Sequence, residues 1–208
     1  MKASKREHWE QTAQEFSTVY KKERSVLRRA VNKVFNRGQA ERIYMTLKEC
    51  KNVTGKKILD IGCGLGQASS ELAKRGAVVT GTSLASNRRV FTGNKHELEG
   101  IYVFICDAFF HHVFDEDFDI SIALGFFDHV EDSFPYLKKM KLVTNEKCIM
   151  SFPSRFGLQF PIRILWPRSQ KYPLYVYTKK EKKRLLSPIF SRFKIKEISA
   201  GYHCVDSV

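Results

Sequence analysis

Three glycines at alternate positions, Gly62, Gly64 and Gly66, follow the mostly apolar run Lys57-Ile58-Leu59-Asp60-Ile61. Glycine is required where the backbone takes a positive φ or where a ligand lies directly against the chain. The apolar run reads as a short buried strand, and residues 67–75 read as a helix stopped by Gly76. The loop between them combines bare peptide, the unpaired N–H groups of a helix start, and one acid, Asp60, at the end of a strand, where α/β sheets take their ligands. A dinucleotide fingerprint would need G-x-G-x-x-G. Counted from Gly62 its third glycine falls on Gln67, and counted from Gly64 it falls on Ser69, so the pattern here is a different one, G-x-G-x-G.

The elements that must position this loop are legible in the apolar spacing. Trp9, Ala13, Phe16, Tyr20, Leu27, Ala30, Val31 and Val34 recur at helical intervals through 8–35, and Asn36-Arg37-Gly38 ends that pattern. A second helix is expected over 39–50, with Ala40, Ile43, Tyr44 and Leu47 on one face. Strands are expected over 57–61, 77–81, 101–106, 118–124 and 147–152, alternating with helices over 67–75, 85–98 and 129–143. That alternation means βαβ units and a mostly parallel sheet, with right-handed crossovers placing helices on both faces. Between 153 and 177 Pro153, Pro161, Pro167 and Pro173 punctuate a stretch rich in Phe, Trp, Tyr and Arg, too long for an ordinary connection. Thr178 and Glu181 form a capping box before a basic helix, and 193–198 and 202–205 read as a hairpin around Ala200-Gly201.

Charge divides the 208 residues into thirds. Residues 1–57 carry a net +9, residues 58–150 a net −4, and residues 151–208 a net +9. The middle has the balance of an ordinary enzyme core. The basic flanks suit a polyanion, an anionic membrane surface or an acidic small molecule, or serve only as a solvated surface. The five cysteines, at 50, 63, 106, 148 and 204, form no C-x-x-C and no zinc-ligand spacing, so reduced thiols and no metal are expected. The stretch MKASKREHWE has no apolar core of a secretory signal, and no apolar run approaches the roughly 18 residues of a membrane span. The expectation is a cytoplasmic protein.

Asp60 followed by G-x-G-x-G resembles motif I of the class I S-adenosylmethionine-dependent methyltransferases. The resemblance continues through Val79–Leu84 at the second strand, Cys106-Asp107-Ala108 at the third, Phe118–Gly125 at the fourth and Ser151-Phe152-Pro153 at the fifth. The stretch Ala123-Leu124-Gly125-Phe126-Phe127-Asp128-His129-Val130 is similar to the ubiquinone-pathway and magnesium-porphyrin members. The W-x-x-x-A-x-x-F-x-x-x-Y stripe ending at Tyr20 looks like a lid helix of such enzymes. What the resemblance implies is an α/β, Rossmann-like, mostly parallel seven-stranded sheet with helices on both faces. Residues 1–54 would be an N-terminal helical lid and 55–152 the cofactor-binding core. Residues 153–177 would be a substrate-cap insertion after the fifth strand, and 178–208 the C-terminal helix and closing strands.

By the same resemblance, Gly62, Cys63, Gly64 and Gly66 would lie against the methionine part of S-adenosylmethionine, with Asp60 reaching its ammonium. Asp107 and Ala108 would meet the adenine, Leu124 and Gly125 the region of the sulfonium, and Tyr20 would close over the cofactor. Ser83 stands where most of the family has an acid gripping the ribose hydroxyls, and backbone groups around Ser83-Leu84, or another acid, would compensate. A neutral Ser83 forgoes a charged hydrogen bond of roughly 1.5–3 kcal/mol. The acceptor would be a small or lipid-like molecule, anionic in one reading, methylated on oxygen or carbon. Phe126, Arg155, Arg163, Trp166 and Tyr175 would line its site. Methyl transfer from a sulfonium gains mostly from positioning, and a base serves only a protonated acceptor. Asp128 and His129 are the candidates for that base or for orienting the acceptor. Two other readings stand beside this one. Ser83 with Arg88-Arg89 suits a 2′-phosphate, as in an NADP-dependent oxidoreductase, and the basic flanks suit a non-catalytic RNA- or partner-binding module.

Overall fold

The computed structural model describes residues 26–64, 66–83, 101–105, 109, 113–155, 174–199 and 201–207. Helix α1 spans Val26–Glu49. Strand β1 (Lys57–Ile61) leads through the glycine loop into α2 (Gln67–Ala73). Strands β2 (Val78–Ser83), β3 (Ile101–Ile105) and β4 (Phe118–Ala123) follow. A 3-10 turn at Phe127–His129 leads to α3 (Phe134–Leu142) and β5 (Thr144–Pro153). Helix α4 (Lys179–Leu186) and the hairpin β6 (Phe193–Ile198) and β7 (Gly201–Ser207) close the chain.

The strands form one sheet in the order β3-β2-β1-β4-β5-β7-β6. Neighbours among β1 to β5 pair in parallel, whereas β7 runs antiparallel to both β5 and β6. The strand order reverses between β1 and β4, and the crevice in which open α/β sheets take their ligands is expected beyond the carboxyl ends of those strands.

The two faces of β1 explain the core. Leu59 and Ile61 point into an aromatic layer with Phe118, Phe127, Phe152, Leu137, Met140, Leu186 and Phe190. Ile58 points the other way, into an aliphatic layer with Leu72, Val79, Ile120, Ile122 and Ile149. Fully burying each such side chain is worth about 1.5–3 kcal/mol. Asp60 shares the Ile58 side, where β1 faces α2, and this fixes which helix it can meet.

Three expectations need correction. Asn36-Arg37-Gly38 does not end a helix, because α1 runs through it to Glu49. A helical glycine costs only about 1 kcal/mol, and the docking of α1 on the sheet outweighs it. The buried face of α1 is the expected one only in part, since Ile43 and Leu47 pack on the aliphatic layer but Ala40 is exposed. Tyr44 is 65% exposed, while Arg42, Met45 and Thr46 are buried. Polar side chains win that face because each has a partner across the interface, as described below. Finally, the helix expected from 129 starts only at Phe134, where Pro135 occupies the first turn and Ser133 the N-cap. The stretch before it makes the 3-10 turn. The helix expected over 85–98 and most of the 153–177 insertion lie outside the described residues.

Candidate functional site

At the end of β1 the chain turns through Gly62 (φ +71°), Gly64 (φ +55°) and Gly66 (φ +70°), all in the left-handed region that side chains disfavour. The turn is laced to β2. The Gly62 amide donates to Thr82 Oγ1 at 3.3 Å, and the Cys63 amide donates to the Thr82 carbonyl at 2.9 Å. Gly81, paired with Asp60 in the β1–β2 ladder, leaves the space that Cys63 occupies, since a Cβ there would come within 2.9 Å of Cys63 Sγ. A Cβ on Gly62 would come within 2.8 Å of Phe126 Cδ2. The loop after β4 therefore rests on the glycine turn, and the two loops of the topological switch point meet at this contact.

Asp60 is 3% exposed and accepts a 2.5 Å hydrogen bond from Ser69 Oγ on α2. Burial pushes its carboxyl up to about 6, and the Ser69 bond only partly offsets that. This is an acid near the turn that a cationic group would return to its charged form. Burial likewise raises the Cys63 thiol well above its ordinary value, so the thiol is not a nucleophile at neutral pH.

The loop after β4 is held from three directions. Gly125 (φ +76°) donates its amide to Ser151 Oγ on β5 at 2.8 Å. Asp128 is 1% exposed, and its carboxylate stands 3.6 Å from Arg42 Nη2, itself on a buried side chain of α1. A Cβ on Gly125 would stand 3.0 Å from Arg42 Nη1, so the guanidinium packs on that glycine as well. From the far side of the insertion, the Tyr175 amide donates to the Asp128 carbonyl at 3.0 Å. Tyr177 then shares a 2.8 Å hydroxyl–hydroxyl bond with Ser133 at the start of α3. Phe126 packs against Tyr136, Phe127 stacks on Phe152 with centroids 4.9 Å apart, and Phe152 meets Tyr177 edge-on. An aromatic belt thus runs beneath the crevice.

The structure brings Asp60, Gly62, Cys63, Gly64, Gly66, Gly125 and Phe126 together around the crevice. Leu124 is half-buried against the aliphatic layer, and Ser83 is half-buried at the end of β2, paired with Ile105. His129 is exposed at the close of the 3-10 turn. Arg155 is also exposed, 4.0 Å from Glu181 on α4, and its amide donates to the Tyr177 carbonyl. Tyr20, Leu84, Asp107, Ala108, Arg163 and Trp166 lie outside the described residues.

Four contributors escaped the sequence. Ser69, Thr82 and Ser151 look like ordinary polar residues of a helix or strand, and their partners are set by strand order. Arg42 lies between the apolar positions Ala40 and Ile43 and was not singled out. Its only signal was its phase with Met45 and Thr46, three and four positions on.

The geometry fits the S-adenosyl donor that the resemblance implies. Among the described residues a Cβ on Gly64 would meet no side chain, only the Gly62 carbonyl at 4.0 Å. The turn, with Asp60 buried at its base, would hold the amino-acid end. Among the described residues no group of three metal-ligating side chains occurs, and no helix is long and apolar enough to cross a membrane.

Comparison with known proteins agrees with this geometry. Residues 59–152 match the family described as a methyltransferase domain. A ubiquinone biosynthesis O-methyltransferase of Pasteurella multocida is 33% identical over 104 residues, which cover 44% of this chain and 43% of that protein. The corresponding protein of Pseudomonas fluorescens is 36% identical over 90 residues, covering 41% of this chain and 38% of that one. The chain thus spans less than half the length of these curated relatives. In fold it is similar to the magnesium protoporphyrin IX methyltransferase of Synechocystis PCC 6803 crystallised with S-adenosylhomocysteine. There the TM-score is 0.70 at 16% identity, with 100% of this chain and 98% of that one covered.

Proposed function

We propose that the chain, whose residues 59–152 match a methyltransferase domain, transfers the methyl group of S-adenosylmethionine to an oxygen or carbon of a small or lipid-like acceptor. The observation that carries this reading is the glycine turn resting on Gly81 and Phe126, with Asp60 buried at its base. S-adenosylmethionine supplies an activated sulfonium methyl, and the protein's share of the work is to hold donor and acceptor in line. Asp60 and the turn hold the amino-acid end. Ser83 at the end of β2 takes the ribose side with a neutral hydroxyl in place of an acid. Asp107 and Ala108 take the adenine, and Leu124 and Gly125 flank the sulfonium.

Phe126, Tyr175 and the aromatic belt favour a flat or chain-like apolar acceptor, and the basic 151–208 region with Arg155 favours one that also carries negative charge. The likeness to a ubiquinone-precursor enzyme and to a porphyrin enzyme supports such an acceptor. His129, exposed beside the crevice, is the group that would take a proton from a hydroxyl acceptor. Asp128, buried against Arg42, orients the loop instead. We place this chemistry in the cytoplasm, in keeping with the free thiols of Cys50, Cys63, Cys148 and Cys204.

The reading is tested by incubating the protein with S-adenosylmethionine and a fractionated cell extract, then searching by mass spectrometry for a species heavier by one methylene. A gain in an organic-extractable, acidic fraction is expected. A gain confined to RNA or protein would overturn the small-acceptor assignment.

A further inference from the structure

Arg42 lies 20 or more positions before the glycine turn, yet it is buried at the loop after β4. Its guanidinium touches that loop at two points, the Gly125 backbone and the Asp128 carboxylate. Both points belong to one short turn that also rests on Gly62 through Phe126 and hangs from Ser151 through the Gly125 amide. Asp128 receives a further bond, from the Tyr175 amide to its carbonyl, at the place where the chain returns from the insertion. The helix that carries Arg42 is itself fastened at the opposite edge of the sheet. Glu41 accepts from the Ser199 amide at 2.8 Å, and Thr46 Oγ1 lies 3.3 Å from His203 Nε2. The helix is thus pinned at the β6–β7 edge on either side of Arg42, and the guanidinium is delivered to the crevice from a fixed base.

We infer that the Arg42–Asp128 pair is a positioning device that sets the Gly125 turn against the glycine loop, making α1 a working part of the cofactor site. A planar guanidinium can brace a carboxylate and a backbone turn at once, which a point-charge ammonium cannot. Removing the arginine takes from the buried Asp128 carboxylate the guanidinium that stands 3.6 Å away and takes from Gly125 the group packed on it, which loosens the hold of the turn on Gly62. The inference rests on the methyltransferase reading, because it assigns the Gly125 turn to the donor's side of the crevice.

The test is a double-mutant cycle with two readouts, the calorimetric Kd for S-adenosylhomocysteine and the melting temperature. Arg42→Met and Asp128→Asn are each expected to weaken binding at least tenfold. The double variant is expected to be no more than threefold worse than Arg42→Met, because the two side chains act as one unit. Arg42→Lys is expected to fall between wild type and Arg42→Met. Variants with lowered melting temperature but a Kd within twofold of wild type would reduce the pair to a structural bridge and overturn the inference, as would losses that simply add in the double variant. Should Arg42→Met not fold, Arg42→Lys and Asp128→Asn still decide the matter by the same criterion. A wild-type protein that ignores S-adenosylhomocysteine would instead refute the methyltransferase reading itself.

Discussion

Asp60 combines two demands that conflict unless a cation stands near it. Its position at the end of β1 suits a cationic ligand, yet its burial favours the neutral acid and holds its pKa at about 6 against an unfolded value near 3.8. For an acid with a raised pKa the penalty is absent below the unfolded pKa, grows between the unfolded and the folded value, and stays constant above the folded one. An ammonium over the turn reverses that, so binding and loss of the proton are linked. Affinity for S-adenosylhomocysteine should therefore rise with pH, by up to about tenfold per unit below pH 6, and level off above pH 7. Asp60→Asn should remove the slope and weaken binding at pH 7.5 by tenfold or more, given the roughly 1.5–3 kcal/mol of a charged hydrogen bond. Calorimetry from pH 5 to 8 checks both. A wild-type slope that survives in Asp60→Asn would assign the linkage to another group.

Much of this residue-scale chemistry was legible in the sequence because glycine spacing is a backbone constraint with few other uses. The glycine turn and the run to Phe126 could be read without knowing the fold. The bonds that hold those residues in place could not. Ser69 on Asp60, Ser151 on Gly125 and Arg42 on Asp128 are pairings of 9, 26 and 86 positions. The first is set by the pitch of one βα unit, and the others only by strand order and helix docking.

At the scale of elements, the β1–β2 pair is the part that carries the turn. Gly81 lies in mid-strand, where glycine is normally a weakness, and its value is the room it leaves for Cys63. Gly81→Ala should push Cys63 out of the turn and weaken S-adenosylhomocysteine binding several-fold, while costing about 1–3 kcal/mol of stability through overpacking. Pairing it with Cys63→Ala, which removes the opposing sulfur, should restore both. A Gly81→Ala protein with unchanged affinity would show that the turn tolerates the shift. Helix α1 shows where periodicity misleads. Its apolar stripe suggested a buried face that included Ala40 and Tyr44, but the polar contacts of Arg42 with Asp128 and of Thr46 with His203 shift the actual one. Amphipathic spacing reports average burial preference, and it cannot see a partner such as His203 arriving from the last strand.

At the scale of the molecule, two strands added in antiparallel at the β5 edge extend a parallel sheet, and α4 covers them. That junction buries Lys182 completely, with its ammonium over the Tyr202 ring and no hydrogen-bond partner. Burial holds its pKa down to about 7, with Glu197 and Glu181 opposing the shift and Lys179 adding to it. A base with a lowered folded pKa penalises the folded state wherever the unfolded chain is charged and the folded one must share that charge. The full penalty is present below pH 7 and disappears as pH rises toward 10.5. The protein should therefore gain roughly 1–3 kcal/mol of stability between pH 7 and 9 from this group. Lys182→Met should be more stable than wild type at pH 6.5, with the difference shrinking by pH 9. Urea unfolding of both proteins at the two pH values checks this, and equal differences at both would assign the ammonium a hydrated site.

Every residue role proposed above requires an S-adenosyl sulfur compound to bind beyond the carboxyl ends of β1 and β4. Titration of the intact chain with S-adenosylhomocysteine and, separately, with NADP tests it most directly. Micromolar binding of the first at one site per chain, and no heat from the second, is expected. Binding of NADP with none of S-adenosylhomocysteine would contradict it.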